Sequence, residues 1–391
     1  CQPSVSNEIE IKYAMPIHVP MVDVRTIGAG GGSIARVNEA GLLEVGPQSA
    51  GADPGPICYG RGGDLPTISD ANMVLGRLDV GKLKSVPGAV DIEDIRRIFQ
   101  ARLGDPLGVD AETAAAAVLR MATTRMAGAT RMVSVSLGLD PRDFSLFAFG
   151  GAGPLHASAL AGELGVPEVL VPARPGITNA LGCIVADLRH DFVRTVNRPL
   201  DGMEIDRLTG MLEHQAGEGE ALIRQEPVRI EAIDVTHSLD MQFAGQTHLL
   251  SVPLESAEMT RADIQKAFEE VYYNRFRVRL PEIRAQIVNV NTSVTGRRPE
   301  VDLAGLIDNS ARAGSVVAAQ TASRPVWFDG GGAESCWQDT PVYAREKLPL
   351  DARLTGPAIL EQMDTTILIE PNDVAASDDG GNILVTVGRA S

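Results

Sequence analysis

The sequence is poor in cysteine, and its few cysteines are not spaced as pairs. The 391 residues include four cysteines, Cys1, Cys58, Cys183 and Cys336, and no Cys-x-x-Cys pair occurs. This spacing argues against both an encoded zinc site and a disulfide framework. We therefore expect a reducing, cytoplasmic compartment.

Long apolar runs and long basic runs are also lacking. No apolar stretch reaches the roughly 18 residues typical of a membrane span, and the sequence shows no signal-peptide pattern. Lys and Arg number 35 against 51 for Asp and Glu, so the formal net charge is −16. This balance disfavours binding to nucleic acid or to an anionic membrane surface. An anionic ligand would have to be held by backbone dipoles and a few local cations.

The length and the first residues bear on domain organisation. A chain of 391 residues is long enough for two or three domains. It starts at Cys1 without Met, and by Asp23 it already reads as an interior strand and loop. We therefore expect a fragment, a processed subunit, or a chain whose upstream half is absent.

The first candidate site is a glycine-rich turn that follows an apolar run. Val19–Val24 reads as a strand, and a glycine-rich turn there would let backbone N–H groups approach an anion without a Cβ in the way. A tight structural turn is the alternative. Asp23, at the end of the incoming strand, could hold Mg²⁺ or orient water against a γ-phosphate, or it could be a cap. The predicted phosphate-binding residues are Gly28, Gly30, Gly31, Gly32 and Ser33.

A second glycine-rich turn lies between a predicted strand and a predicted helix. Phe147 and Phe149 end the strand, and Pro154 suits the first turn of the following helix. Glycines at such a place leave a flat surface for adenine or ribose, although a close strand-to-helix crossing would also require them. The predicted nucleoside contacts are Gly150, Gly151, Ala152 and Gly153. Two such turns predict one nucleotide held between them.

The pattern along the chain predicts an α/β layer followed by more mixed structure. The strongest helical signal runs from Asp110 to about Gly138. After it, strands at 144–149 and 168–171 alternate with helices at 155–164 and 178–188, which is typical of an α/β layer. The predicted domains are a nucleotide-binding lobe at 1–198, a mixed α+β region at 199–306, a linker at 307–324 and a small β-rich module at 325–391.

Two other features leave their alternatives open. Asp187 and His190 have a helical i, i+3 spacing, so these two residues, with His156, could bind a metal or simply be packed residues. Cys58 lies in a Gly/Pro-rich loop and could be a nucleophile, but no base is tied to it and packing is favoured.

Several long motifs occur in the order found in one family. Together they resemble the hydantoinase A/oxoprolinase family over nearly the whole chain. The motifs are those at Asp23–Ala35, Val45–Gly63, Asp70–Arg77, Phe149–Ala157, Ala186–His190, Phe328–Gly331 and Gly356–Thr366.

The resemblance implies a fold and a cofactor. The family is similar to the actin, Hsp70 and sugar-kinase superfamily (ribonuclease H-like), in which ATP lies in a cleft between two lobes. By that likeness Gly28–Ser33 is the second phosphate loop, Gly150–Gly153 the adenosine loop and Thr178–Gly182 the connecting helix. The resemblance implies ATP with Mg²⁺ or Mn²⁺ as cofactors, and Asp23 as a catalytic and metal-binding carboxylate.

The resemblance also implies an activity and partners. Members use ATP to activate a carbonyl oxygen, so we expect part of an ATP-dependent cyclic-amide hydrolase of the hydantoinase or 5-oxoprolinase type. A subunit of an ATP-dependent ketone carboxylase and a non-catalytic assembly module are the alternatives. The family's upstream lobe, with its Asp-x-Gly-Gly-Thr loop, is not in this sequence. We therefore expect that lobe and a hydantoinase B-type subunit as partners in a hetero-oligomer, and a small cyclic amide as substrate.

Overall fold

A computed structural model describes most of the chain. The described residues are 24–82, 90–136, 138–246, 249–280, 283–302, 305, 310–329 and 336–388, with short backbone strands within residues 5–22. They form two compact units. The glycine-loop unit comprises Val24–Leu181 and Asp302–Ser391, and the helix-on-sheet unit comprises Cys1–Asp23 and Gly182–Val301.

Two of the helices begin at a capping box. Thr67 and Asp70 form a reciprocal capping box at the first helix, and Thr260 and Asp263 form another at the last. The helices are α1 (Ile68–Val74), α2 (Ile92–Phe99), α3 (Asp105–Leu107), α4 (Ala111–Ser136), α5 (Gly153–Leu164), α6 (Thr178–Val185), α7 (Ile205–Gln225) and α8 (Arg261–Phe276).

The strands are mostly short. They are β1 (Val5–Ser6), β2 (Ile9–Ile11), β3 (Met15–Ile17), β4 (Met21–Val22), β5 (Ser33–Val37), β6 (Leu43–Ser49), β7 (Leu146–Phe147), β8 (Glu168–Val171), β9 (Leu188–Pro199), β10 (Ala232–Phe243), β11 (Leu250–Leu254), β12 (Ala285–Arg297), β13 (Gln320–Phe328), β14 (Cys336–Ala344), β15 (Arg353–Thr355), β16 (Ala358–Gln362), β17 (Thr365–Ile369), β18 (Val374–Ser377) and β19 (Ile383–Thr386).

Two sheets and a hairpin make up the glycine-loop unit. One sheet has the strand order β15-β18-β19-β8-β7, and the other has the order β13-β14-β16-β17. β7 and β8 are parallel, as expected when the helix α5 connects them. β5 and β6 form an antiparallel hairpin, as the turn residues between them predict.

The C-terminal strands do not form a separate module. β19 pairs antiparallel with β8, with Ile383 opposite Val171 and Val385 opposite Val169. All four of these side chains are buried, so the two segments share one core. The division into units therefore differs from the predicted domains at 1–198, 199–306, 307–324 and 325–391. The division into units depends on pairing between strands that are far apart in sequence, and local sequence pattern does not predict that pairing.

The long helix α4 forms much of the core of this unit. Its alanine-rich sequence has high helix propensity, and Ala114, Ala115, Val118 and Ala122 are fully buried along one face. These positions recur at helical spacing, so one stripe of α4 packs against α1 and α2. The helix predicted from Asp110 to about Gly138 is confirmed.

The helix-on-sheet unit is built on a four-stranded antiparallel sheet. Its strand order is β11-β10-β12-β9, and α7 and α8 contribute to its core. Phe243 and Phe268 are fully buried with ring centroids 4.8 Å apart, and Tyr272 stands edge-on to Phe243 at 4.7 Å. Such aromatic pairs each contribute about 0.5–1.5 kcal/mol beyond area burial.

Strand β9 is the largest departure from the predicted elements. The sequence predicted a helix from 178 to 188, but α6 ends at Val185 and β9 begins at Leu188. β9 pairs with β12 over most of its length, which stabilises it as a strand.

Within the described residues, no helix is both long enough and apolar enough to cross a membrane.

Candidate functional site

The first glycine-rich turn is closed by hydrogen bonds within itself. Ser33 N–H donates to the carbonyl of Gly30 at 2.9 Å, and Gly30 N–H donates to Ser33 Oγ at 2.9 Å. Ser33 is only 5% exposed. Two of the backbone donors predicted to bind phosphate are therefore bonded inside the turn in this structure.

Packing accounts for three of the glycines in this turn. A Cβ on Gly28 would lie 2.8 Å from Pro47 Cβ, and one on Gly31 would lie 2.7 Å from Ser69 Oγ. A Cβ on Gly32 would lie 2.9 Å from Ser49 Oγ, whereas Gly30 has nothing within 4 Å. Close approach to β6 and α1 thus requires glycine at three positions, and Gly30 is left with open space. The phosphate contacts of this turn remain a prediction.

A buried carboxylate fixes the segment beside this turn. We name residues 50–63 the proline-glycine loop. Asp70 is fully buried and accepts hydrogen bonds from Ile57 N at 3.2 Å, Cys58 N at 2.8 Å, Thr67 N at 3.0 Å and Thr67 Oγ1 at 2.8 Å. Burial raises the pKa of Asp70, and these hydrogen bonds oppose that rise. The T-x-x-D pattern at Thr67 is the sequence signal for this carboxylate.

Cys58 behaves as a packed residue. It is 2% exposed, and burial together with the charge of Asp70 raises the pKa of its thiol far above the ordinary value. Because the thiolate is the nucleophilic form of cysteine, this environment disfavours covalent catalysis by Cys58.

The second glycine-rich turn is open toward solvent. Gly150 has φ +84°, which favours glycine, and its N–H donates to Pro175 O at 2.8 Å. Gly151, Ala152 and Gly153 are exposed. A Cβ would meet nothing within 4 Å at Gly150 or Gly153.

The turn leads directly into α5, whose first turn has no side-chain cap. The N-cap residue Ala152 makes no side-chain hydrogen bond, and Pro154 occupies the first turn. The start of a helix carries unsatisfied N–H groups and a partial positive charge. Exposed glycines at this start therefore offer a surface for a polar or anionic ligand.

Thr365, the first residue of β17, holds this turn from behind, and its neighbour Asp364 bonds to Gly176. Thr365 Oγ1 lies 3.2 Å from Gly150 O and 3.1 Å from Gly151 O, and Thr365 is 5% exposed. Asp364 Oδ2 accepts from Gly176 N at 3.0 Å. Both residues lie in the Gly356–Thr366 motif, from which no role was predicted for them. That motif was the available signal.

A histidine, an arginine and a carboxylate lie beside α5. Burial, and then the charge of Arg77, lower the pKa of His156 to about 4. Arg77 Nη1 lies 3.9 Å from Glu370 Oε1. Burial raises the pKa of Glu370, and Arg77 opposes that rise. His156 is therefore a neutral imidazole near pH 7.

The histidine and aspartate metal hypotheses gain no geometric support. Asp187 Oδ1 accepts from Arg298 N at 2.8 Å, and His190 lies on β9, so the pair does not have the helical spacing that suggested a metal. In the part of the chain that the structure describes, no group of three or more His, Cys, Asp or Glu side chains could hold a metal ion. Asp23 lies outside the described residues, so its catalytic and metal-binding roles remain predictions.

Comparisons with known proteins cover nearly the whole chain. A family model described as hydantoinase/oxoprolinase matches residues 2–192, and one described as the hydantoinase/oxoprolinase C-terminal domain matches residues 209–383. Caprolactamase subunit alpha of Pseudomonas jessenii is 33% identical over 95% of this chain and 54% of its own length. Acetophenone carboxylase gamma subunit of Aromatoleum aromaticum is 30% identical over 93% of this chain and 51% of its own length.

A solved structure agrees with the fold. The crystal structure of the ATP-dependent caprolactamase from Pseudomonas jessenii superposes with a TM-score of 0.80 at 31% identity, covering 98% of this chain and 55% of that one. The predicted α/β, actin/Hsp70/sugar-kinase-like fold class is therefore confirmed. The chain spans about half the length of these relatives.

Proposed function

Because this chain belongs to the hydantoinase/oxoprolinase family, we propose that it is the nucleotide-binding part of an ATP-dependent cyclic-amide hydrolase. Its substrate would be a hydantoin, 5-oxoproline or another lactam. The observation that carries the proposal is the open turn at Gly150–Gly153, which leads into an uncapped helix. The likeness to a caprolactamase subunit supports the same reaction class.

ATP supplies the activation that an unstrained amide needs. The amide carbonyl oxygen would take the γ-phosphoryl group as ADP leaves, and two water molecules would then complete ring opening and release of phosphate. The chain's contribution would be to hold the phosphates and the nucleoside while charge moves, which is the main requirement of phosphoryl transfer.

The second turn fits its proposed role better than the first does. Gly150–Gly153 would seat the nucleoside on exposed, side-chain-free backbone. At the first turn, phosphate could bind Gly30 N–H and Ser33 N–H only if their bonds within the turn were exchanged for bonds to phosphate. Asp23 would organise Mg²⁺ or Mn²⁺, since Mg²⁺ usually takes one or two carboxylates plus phosphate oxygens.

The partners belong to the same proposal. Two relatives are named as subunits, and this chain spans about half of each. We propose that an upstream lobe completes the ATP site and that a hydantoinase B-type subunit joins the complex.

Stimulated ATP turnover tests the proposal. The full gene product, with its co-purifying chains, is assayed for ADP release in the presence of hydantoin, 5-oxoproline or caprolactam. Turnover that depends on one of these cyclic amides is the expected result. If MgATP gives no calorimetric heat in the same preparation, the chain acts as an assembly module and the proposal fails.

A ketone carboxylase is the second candidate, because an acetophenone carboxylase subunit is 30% identical. It would use the same two turns. ATP turnover stimulated by a ketone only when bicarbonate is present would favour it over the hydrolase.

A further inference from the structure

The proline-glycine loop (residues 50–63) touches the first glycine-rich turn directly. Ala50 N–H donates to Gly32 O at 2.8 Å, and a Cβ on Gly32 would come within 4.0 Å of Gly51 O. The start of the loop is thus bonded to the turn where phosphate is predicted to bind.

The loop is folded back on itself and anchored at its far side. Gly55 N–H donates to Ala50 O at 3.2 Å, and a Cβ on Gly63 would lie 2.2 Å from Gly55 O, so the two limbs are in contact. The buried Asp70 carboxylate accepts from Ile57 N and Cys58 N. These contacts hold the loop in one shape beside the turn.

Arg61 is the cation that this loop presents. Its Nη1 donates to Ala52 O at 2.9 Å, and its Cζ lies 6.0 Å from the centre of the Tyr59 ring. The side chain is exposed, and within the described ranges no carboxylate lies at ion-pair distance from it. The guanidinium is therefore positioned by neutral groups, and its acceptor Ala52 lies two residues along the chain from Ala50, which bonds to Gly32.

Two other arginines near the first glycine-rich turn already have protein partners. Arg36 is paired with Glu44 at 2.9 Å, and Arg125 donates to the carbonyl of Val45. The turn itself, Gly28–Ser33, contains no cationic side chain. A phosphoryl group in transfer spreads negative charge over its oxygens, and a guanidinium suits such oxygens because its donors form a planar fork.

We propose that Arg61 contacts the terminal phosphate of the nucleotide bound at the first glycine-rich turn and stabilises its charge during transfer. This inference rests on the proposed function, since it requires that the turn binds ATP. Arg61 would thus give the proline-glycine loop a catalytic side chain. The glycine motifs themselves contain no such side chain.

Calorimetry with MgATP and MgADP on the full gene product tests the contact. Arg61→Ala is expected to lower MgATP affinity by about 10-fold or more, the usual scale for a hydrogen bond to a charged group. MgADP affinity should change less than about 3-fold, because ADP lacks the phosphate that Arg61 contacts. Arg97→Ala is the matched control, since Arg97 is an exposed arginine of the same unit paired with Asp94.

The outcomes separate this inference from the proposed function. Wild-type protein that binds no MgATP overturns the proposed function. Wild-type protein that binds MgATP while Arg61→Ala is unchanged, or loses both nucleotides equally, overturns the Arg61 contact alone. If Arg61→Ala fails to fold, Arg61→Lys decides, because it keeps the charge and loses the fork. A selective loss of MgATP affinity then supports the contact, and unchanged affinity contradicts it.

Discussion

The two glycine-rich turns of the same unit look alike in sequence and differ in structure. At Gly28–Ser33, added Cβ atoms at three glycines would collide with neighbouring protein atoms, and the turn closes on itself through Gly30 and Ser33. At Gly150–Gly153, an added Cβ at Gly150 or Gly153 would meet open space, and the turn is held by Thr365 and by the bond from Gly150 N–H to Pro175 O.

The difference shows that glycine content alone does not locate a ligand. Glycine is required wherever backbone approaches something closely, and that something can be protein or ligand. In the first turn, protein contacts account for Gly28, Gly31 and Gly32 and leave Gly30 unexplained. In the second turn, no protein contact accounts for Gly153. A bound ligand would explain why glycine is needed there.

The largest expected effect is on the support of the first turn. Asp70→Ala removes the acceptor for Ile57 N and Cys58 N, two buried donors, at a cost of about 4 kcal/mol in the free energy of unfolding. Urea denaturation measures this change. Asp64→Ala, at an exposed carboxylate of the same region, is the control and should cost less than about 0.5 kcal/mol. A small loss at Asp70 would show that the first turn does not depend on this carboxylate.

Acid should weaken the region of the second turn through His156. Its pKa in the folded protein is about 4, below the unfolded value of about 6.5. The neutral ring therefore contributes stability that is complete above pH 6.5 and lost as the pH falls through about 4, on the order of 3 kcal/mol in all. His156→Gln should flatten this part of the curve of unfolding free energy against pH.

The control for that experiment is His214→Gln, at an exposed position of α7. Comparing each variant with wild type at pH 7 and pH 4.5 removes the contribution of other titrating groups. An identical pH dependence in wild type and His156→Gln would contradict the assignment.

A matched pair of substitutions separates packing from open space within the first turn. Gly28→Ala places a Cβ 2.8 Å from Pro47 Cβ and should cost about 2 kcal/mol by overpacking. Gly30→Ala meets nothing within 4 Å and should cost less than about 0.5 kcal/mol. Thermal denaturation of the two variants checks this order, and equal costs would mean that close packing does not set the glycine pattern.

The smallest expected effect concerns the hold on the second turn. Thr365→Val removes the hydroxyl that lies beside Gly150 O and Gly151 O, at about 1 kcal/mol. Thr365→Ser keeps the hydroxyl and should stay near wild type. Amide exchange at Gly151–Leu155 should quicken in the valine variant only. Exchange that quickens equally in the serine variant, which keeps the hydroxyl, would contradict the role of the hydroxyl.

Local pattern predicted much of the fold because it records local physics. The helix α4 and the strand β8 were predicted close to their observed bounds, since each has a clear period and clear ends. The pairing of β19 with β8 was not predicted, because strand pairing joins segments far apart in sequence.

The positions of the two turns along the chain could be predicted from the sequence, and their three-dimensional contacts could not. The sequence predicted the positions of the glycines in both turns. The T-x-x-D pattern at Thr67 and Asp70 is also a sequence signal for the capping box. That Ser33 closes its own turn, or that Thr365 lies behind Gly150, follows from three-dimensional contacts. Those contacts depend on how distant segments meet, and no single segment encodes them.

The central claim is that both turns bind one MgATP molecule. Hydrogen–deuterium exchange of the full gene product, with and without saturating MgATP, tests it most directly. We expect slower amide exchange at both Gly28–Ser33 and Gly150–Leu155 when MgATP is bound. Calorimetric binding of MgATP that leaves exchange at both turns unchanged, or slows it at one turn only, would contradict the account.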